Sequence, residues 1–208
     1  MASSRLALKA VFFDVGETLV DETRWWSEHA RRIDISPIVL AATLGMTIER
    51  GEDHRSVWAY LGHPVPSGDD EVGYVAADLY PDVSDCLAAL RAEGLFVAIA
   101  GNQGANLERD LRGFGLDVDL VSSSVGLGVR KPAVEFFERL VALTEFAPAE
   151  CAYVGDRVDF DVRPANDAGL TTVHVRRGPW GRLQGGSDEA DLSVDSLAEL
   201  PAALLSHS

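Results

Sequence analysis

Short apolar runs alternate with longer amphipathic stretches along most of this chain. The first run, Ala10–Phe13, has four consecutive apolar residues, which is typical of a strand buried on both faces of a parallel sheet. Comparable runs predict further strands at residues 95–100, 119–122, 151–154, 171–175 and 191–194. Amphipathic stretches predict helices at residues 81–93, 105–114, 131–143, 161–168 and 196–205. This alternation predicts an α/β fold with a Rossmann-like parallel sheet flanked by helices, and leaves residues 123–129 and 176–189 irregular.

The segment between the first two strands departs from this alternation. Residues 21–44 and 47–61 are predicted to form two helices, with Thr47 capping the second and Gly62 ending it. A turn-rich connection follows at residues 62–70. Because the block is far longer than a crossover requires, we interpret residues 21–80 as a small all-helical cap over the strand ends. Residues 1–20 and 81–208 are then the core domain.

The composition limits the partners that the protein can bind. The chain has 208 residues and a formal net charge of −15, which argues against a nucleic acid or an anionic membrane as the main partner. No apolar run approaches the length of a membrane span, and the first residues lack a signal-peptide pattern. The two cysteines, Cys86 and Cys151, are expected to be reduced core residues. We therefore expect a cytoplasmic protein that is a monomer or a homodimer.

Polar residues follow the predicted strands at the points where each strand ends. The carboxyl ends of parallel strands meet at one edge of a sheet, where open α/β folds bind their ligands. The residues concerned are Asp14 after the first strand, Gly101 and Asn102 after the second, Lys131 after the third, and Asp156 with Asp161 after the fourth.

These residue types suit phosphoryl transfer. Such a reaction needs a nucleophile in line with the phosphorus atom and positive charge to neutralise the phosphoryl oxygens. Mg²⁺ takes a few protein oxygens and leaves positions for water and a substrate phosphate. Asp14, Asp156 and the backbone carbonyl of Gly16 are the predicted ligands, while Lys131 is expected to keep Asp14 ionised and to bind the phosphate.

Four motifs resemble those of the haloacid dehalogenase-like hydrolase superfamily. They read FFDVGETL, VAIAGNQ, GVRKPAVEFF and YVGDRVDFDVRPANDAG in chain order. The resemblance implies that Asp14 becomes an aspartyl phosphate, that Lys131 holds the nucleophile and phosphate, and that Asp156 binds Mg²⁺. It also implies that Asp161 supports the metal shell, that the cap is inserted after the first motif, and that the substrate is a small phosphorylated metabolite.

Two positions depart from the family pattern. The phosphatases usually carry a general acid/base Asp two residues after the nucleophile, where this chain has Gly16. Loss of that group lowers the rate by about 10²–10⁴-fold. The second motif usually ends in Ser or Thr, where this chain has Gly101. Its backbone N–H and the Asn102 side chain are expected to contact phosphate instead. The nearby acidic residues Glu17, Asp21 and Glu22 are expected to be solvated or turn residues.

Three functions remain open on the sequence alone. The first is a Mg²⁺-dependent phosphatase, which the retained Gly155, Asp156 and Asp161 favour because these residues suit a bound cation. The second is a metal-independent 2-haloacid dehalogenase, since the founding dehalogenases also lack the second Asp. The third is a weak or non-catalytic relative that binds Mg²⁺ or a phosphorylated ligand. Whether Asp14 can be phosphorylated separates the phosphatase from the other two.

Overall fold

The computed structural model describes residues 8–66 and 72–207. Its centre is a six-stranded sheet in the order β3-β2-β1-β4-β5-β6, with every neighbouring pair parallel. The strands are β1 (Ala10–Phe13), β2 (Phe96–Gly101), β3 (Leu120–Ser123), β4 (Cys151–Gly155), β5 (Thr171–Val175) and β6 (Leu192–Val194). The predicted α/β fold with a parallel sheet is therefore confirmed.

Helices precede, connect and follow the strands. They are α1 (Thr23–Arg32), α2 (Pro37–Glu49), α3 (Ser56–Tyr60), α4 (Val83–Ala92), α5 (Ala105–Gly113), α6 (Ser124–Leu127), α7 (Val134–Val141), α8 (Arg163–Asp167), α9 (Gly178–Leu183) and α10 (Leu200–His207). Short 3₁₀ turns lie at Ala76–Asp78, Pro148–Glu150 and Ser187–Glu189, and a π-helical turn at Val158–Val162. No helix within the described parts of the chain is long and apolar enough to cross a membrane.

The strand β1 shows why the first apolar run lacks polar alternation. Successive side chains point to opposite faces of a sheet, and helices cover both faces here. Val11 and Phe13 pack into a core layer with α4, α5 and α10. Ala10 and Phe12 pack into the opposite layer with α7. All four β1 side chains are fully buried, so the sheet is closed to ligands on its faces and accessible at its strand ends.

The segment predicted as the cap contains shorter helices than the sequence pattern predicts. The predicted helix at residues 21–44 is wrong as one element, because a turn separates α1 from α2. Asp34 has φ +55° in that turn, and Pro37 opens α2, where its missing N–H breaks no helical hydrogen bond.

The predicted helix at residues 47–61 is also wrong. Thr47 is buried inside α2 and does not cap a helix; its hydroxyl donates to the carbonyl oxygen of Leu44 at 2.7 Å. Gly51, with φ +64°, follows the end of α2, and α3 is a separate helix that ends before Gly62. Within the predicted connection at residues 62–70, positions 67–70 lie outside the described residues, as do residues 1–7 of the predicted core domain.

Three smaller predictions along the core also need correction. The helix predicted to start at Lys131 begins at Val134, because hydrogen bonds to Asn102 hold the Lys131 backbone outside the helix. Residues 123–129 are not irregular, since Ser123 caps the helical turn α6. Residues 176–189 include α9, with proline in its first turn.

A cluster of aromatic side chains joins the cap to the core. Trp26 and Trp58 of the cap stack with ring centroids 6.1 Å apart. Trp180 of α9 is buried in the same cluster, together with Leu44 of α2. The segment predicted as the cap therefore packs on α9, which follows the carboxyl end of β5.

Candidate active site

Asp14, the predicted nucleophile, lies between β1 and β4, where the order of the strands along the chain reverses. Asp14 directly follows β1, and its backbone N–H donates to the carbonyl oxygen of Val154 on β4 at 2.9 Å. The chain runs outward from β1 through β2 and β3, then resumes on the other side with β4. Such a switch point leaves a crevice at the carboxyl ends of the strands. Asp14 and Asp156 border this crevice, and each is at most 7% exposed.

Lys131 contacts two of the acidic residues, Asp14 and Asp161. Its Nζ lies 2.7 Å from Oδ1 of Asp14 and 2.5 Å from Oδ1 of Asp161. The same ammonium donates to the Tyr153 hydroxyl at 3.1 Å, and that hydroxyl donates to the Ala100 carbonyl at 2.7 Å. Lys131 follows β3. It contacts Asp14 after β1 and Asp161 after β4, and it reaches the end of β2 through Tyr153. Tyr153 was not predicted as a site residue, because a tyrosine in a buried strand has no distinguishing sequence signal.

The acidic residues can hold a divalent cation. Asp14, Asp156 and Asp161 each offer a carboxylate oxygen, and the three atoms lie within 4.8 Å of one another. Asp161 is fixed in this position, because its Oδ2 accepts the backbone N–H of Arg157 at 2.9 Å. Gly155 makes room for it, since a Cβ at that position would lie 2.3 Å from Oδ2. Three hard oxygen ligands suit Mg²⁺, whereas the predicted contribution of the Gly16 carbonyl stays a prediction.

The pKa values of Asp156, Asp161 and Lys131 are all raised, although burial and neighbouring charges contribute differently to each. Burial, reinforced by the neighbouring carboxylates, raises the pKa of Asp156 well above its ordinary value. Burial likewise raises the pKa of Asp161 to about 6, although Lys131 opposes the change. Burial alone would lower the pKa of Lys131, but Asp14 and Asp161 raise it well above its ordinary value. Lys131 is therefore a permanent cation, and the surrounding carboxylates gain from further positive charge.

Glu22 lies in the turn before α1, as expected, and is half-buried, with its carboxyl group beside Gly16. A Cβ at Gly16 would lie 2.6 Å from Oε1 of Glu22 and 2.9 Å from its Cδ. Oε1 also accepts the Tyr74 hydroxyl at 2.6 Å. Burial, followed by the charges of Glu17 and Asp14, raises the pKa of Glu22 to about 7. Glu17 also lies in a turn, as expected, but is buried, and Asp21 is half-buried and accepts the N–H of Thr23 at 2.8 Å.

Gly101 lies beside Asp14, and Asn102 lies beside Lys131. A Cβ at Gly101 would lie 2.4 Å from Oδ1 of Asp14 and 2.4 Å from Oε1 of Gln103. The side-chain amide of Asn102 hydrogen-bonds to the backbone of Lys131. The structure thus shows Asn102 positioning Lys131. The predicted phosphate contacts of Gly101 and Asn102 stay predictions.

A cavity of about 200 Å³ lies above the carboxylates, between the cap and the strand ends. Its walls combine aromatic and cationic side chains, among them Trp25, Trp58, Trp180, Arg55, Arg130 and Arg157. The Arg157 guanidinium lies 4.6 Å from the Trp180 ring centroid and pairs with Asp159 at 2.7 Å. These lining residues were not predicted as site residues, because they come from cap, loop and core segments that only the folded chain brings together.

The fold and these strand ends define an α/β protein with an acidic, lysine-bearing site at the switch point of a parallel sheet. The chain belongs to the haloacid dehalogenase-like hydrolase family, whose model matches residues 8–169. The predicted family and enzyme class are confirmed: the protein is a hydrolase.

Curated relatives and a solved structure agree with this assignment. The chain is 31% identical over 224 residues to glyceraldehyde 3-phosphate phosphatase of Methanopyrus kandleri, covering 93% of this chain and 95% of the relative. It is 37% identical over 127 residues to phosphoserine phosphatase of Thermus thermophilus, covering 59% and 49%. The HAD-hydrolase YfnB of Bacillus subtilis, with bound magnesium, superposes with a TM-score of 0.71 at 17% identity, covering 95% and 99%. At that identity the superposition shows the fold alone.

Proposed function

We propose that the protein is a Mg²⁺-dependent phosphatase that hydrolyses a small phosphate monoester through an aspartyl phosphate on Asp14. The observation that carries the proposal is the contact of Lys131 with both Asp14 and Asp161 beside a third carboxylate, Asp156. A lone buried carboxylate would be neutral at physiological pH. The Lys131 ammonium lies 2.7 Å from Oδ1 of Asp14, so it places positive charge beside the oxygen that attacks phosphorus.

The donor set supports Mg²⁺ as the cation. Carboxylates of Asp14, Asp156 and Asp161 would hold it, with the Gly16 carbonyl as a further ligand. When bound, the ion supplies positive charge against the phosphoryl oxygens and lowers the repulsion between substrate and nucleophile. The raised pKa values of Asp156 and Asp161 support this assignment, since clustered carboxylates without a cation favour their protonated forms.

The protein's own groups then have separate tasks. Asp14 attacks the phosphorus atom, and the ester oxygen leaves from the opposite side. Lys131 donates a hydrogen bond to Asp14, and its positive charge attracts the phosphoryl group toward the attacking oxygen. Water later attacks the phosphorus of the aspartyl phosphate, which releases inorganic phosphate and restores the Asp14 carboxylate. The cap excludes bulk water from this crevice.

The substrate is proposed to be a compact metabolite. A cavity of about 200 Å³ has little room beyond a phosphoryl group and a short carbon chain. The relatives named above are phosphatases of glyceraldehyde 3-phosphate and phosphoserine, which are small esters of this kind. Arg55 and Arg130 at the cavity wall favour an anionic substrate despite the acidic charge of the chain.

Turnover of p-nitrophenyl phosphate with Mg²⁺ or with a chelator, in the wild type and in Asp14→Asn, tests the proposal. Mg²⁺-dependent turnover that Asp14→Asn abolishes is the expected result. Absent turnover, with beryllium fluoride and Mg²⁺ still binding, would instead identify a non-catalytic relative. Chloride release from 2-chloropropionate in the presence of chelator would identify a dehalogenase.

A further inference from the structure

We propose that the carboxyl group of Glu22 is the general acid/base of this enzyme and replaces the Asp side chain that position 16 lacks. The inference rests on the proposed phosphatase function and assigns a catalytic residue to it. Positions 16 and 22 are six residues apart in sequence, and the Glu22 carboxyl group occupies the space beside Gly16 in the crevice.

The geometry places the Glu22 carboxyl group where a side chain on Gly16 would begin. An ideal Cβ at Gly16 would lie 2.6 Å from Oε1, 2.9 Å from Cδ and 3.3 Å from Oε2 of Glu22. The region that an Asp at position 16 would occupy is thus filled by the carboxyl group of another residue. Glu22 also lines the same cavity as Asp14 and Asp156, so the group is open to a bound substrate.

A hydrogen bond holds Glu22 in this orientation. The Tyr74 hydroxyl donates to Oε1 at 2.6 Å, and Tyr74 is itself buried at 6% exposure. This contact fixes the carboxyl group beside Gly16. Glu22 directly precedes α1 and its side chain reaches back across the turn toward Gly16.

The other buried acidic residue nearby, Glu17, is engaged elsewhere. Its Oε2 accepts the Tyr80 hydroxyl at 2.6 Å, and its side chain packs against Gly178, where a Cβ would lie 2.5 Å from the Cβ of Glu17. Its Oε1 accepts the backbone N–H of Glu22 at 3.3 Å. Glu17 therefore supports the turn that presents Glu22.

Glu22 transfers one proton in each half of the reaction. In the first half, Asp14 forms a bond to phosphorus, the bond from phosphorus to the ester oxygen breaks, and the protonated Glu22 gives its proton to that oxygen. In the second half, the Glu22 carboxylate takes a proton from water while the water oxygen bonds to phosphorus. The bond from phosphorus to Asp14 then breaks, so an ester and water become an alcohol and phosphate.

The dependence of rate on the leaving group tests this assignment. A nitrophenolate leaves without a proton, whereas an alkoxide needs one. For Glu22→Gln, kcat/KM for glycerol 3-phosphate is expected to fall by about 10²–10⁴-fold, and that for p-nitrophenyl phosphate by less than about tenfold. Glu28→Gln, on the adjoining helix α1 and paired with Arg31 at the surface, is the matched control and is expected to leave both values unchanged.

Moving the carboxyl group back to its usual position provides a second test. Glu22→Ala removes the atoms that would collide with a side chain at position 16, and Gly16→Asp then restores an acid there. The double variant is expected to recover most of the glycerol 3-phosphate turnover that Glu22→Ala loses.

Two results would overturn the assignment. Equal loss for both substrates in Glu22→Gln would make Glu22 a structural residue, and failure of Gly16→Asp to rescue a folded Glu22→Ala protein would remove its role in proton transfer. Failure of the phosphatase function itself has a different signature, because wild-type turnover would then be absent or insensitive to Asp14→Asn.

Discussion

Asn102 and Lys131 are joined by a pair of hydrogen bonds between a side chain and a backbone. Nδ2 of Asn102 donates to the Lys131 carbonyl oxygen at 2.9 Å, and Oδ1 accepts the Lys131 N–H at 2.9 Å. The loop after β2 thereby fixes the backbone of the residue whose ammonium contacts Asp14. The position of Lys131 depends on this pair, because Lys131 lies before α7 and receives no support from a helix.

Asn102→Ala is therefore expected to lower kcat/KM by about tenfold to a hundredfold through misplacement of Lys131. It should also lower the free energy of unfolding by about 1–3 kcal/mol, since two backbone groups lose their partners. Steady-state kinetics with p-nitrophenyl phosphate and urea denaturation measure the two effects.

Asn166→Ala is the matched control for this prediction. Asn166 also makes two hydrogen bonds, to Glu189 and Thr172, but these lie away from the crevice. The control is expected to lose stability without losing kcat/KM. If both variants keep full activity, Asn102 does not position Lys131.

Replacement of the buried lysine should destabilise the protein as well as inactivate it. Lys131→Met leaves Asp14 and Asp161 buried without their cation, which costs about 3–5 kcal/mol for a buried pair. We expect no turnover and a correspondingly lower urea midpoint in chelator, with a smaller loss in Mg²⁺. Lys9→Met removes an ion pair whose lysine side chain is 52% exposed and should cost less than about 1 kcal/mol. Equal stability of the two variants would contradict the proposed charge balance.

The strands of the sheet were predictable because each one corresponds to a short run of residues that are close together in the sequence. The run Ala10–Phe13 coincides with β1, and its lack of alternation reflects burial on two faces. Gly94, with φ +79°, ends the helix before β2 as predicted, since glycine adopts that conformation without steric cost. The cap helices were less predictable because Thr47 is as compatible with a helix interior as with a cap, and tertiary packing decides between the two.

The site was predictable only where a residue follows a strand. Asp14 and Asp156 reach the crevice because parallel strands end at one edge. Glu22 reaches it through a turn in which Glu17 has φ +52° and through the hydroxyl of Tyr74, which is 52 residues away. Neither the turn conformation nor the distant partner leaves a periodic signal in the sequence.

Gly155→Ala is expected to weaken Mg²⁺ binding with little effect on the fold. The new Cβ would lie 2.3 Å from Oδ2 and 2.6 Å from the Cβ of Asp161, so Asp161 must move out of the acidic cluster. Displacing such a supporting group costs about 10–100-fold in metal affinity. The Mg²⁺ concentration that gives half-maximal turnover measures the effect.

Gly113→Ala is the control for this substitution. Gly113 is the last residue of α5, and a Cβ there would have nothing within 4 Å. Its Mg²⁺ dependence should match that of the wild type. An unchanged Mg²⁺ requirement in Gly155→Ala would show that the position of Asp161 does not govern metal binding.

Restoring the usual hydroxyl of the second motif is expected to harm this enzyme. The Cβ introduced by Gly101→Ser would lie 2.4 Å from Oδ1 of Asp14, and Lys131 holds that oxygen at 2.7 Å. The nucleophile must rotate away from its line of attack, so kcat for p-nitrophenyl phosphate should fall by about tenfold to a hundredfold. Gly101→Ala carries the same Cβ without the hydroxyl and should lose a similar amount. Turnover by Gly101→Ser above the wild-type rate would instead show that the hydroxyl contact with phosphate outweighs the collision with Asp14.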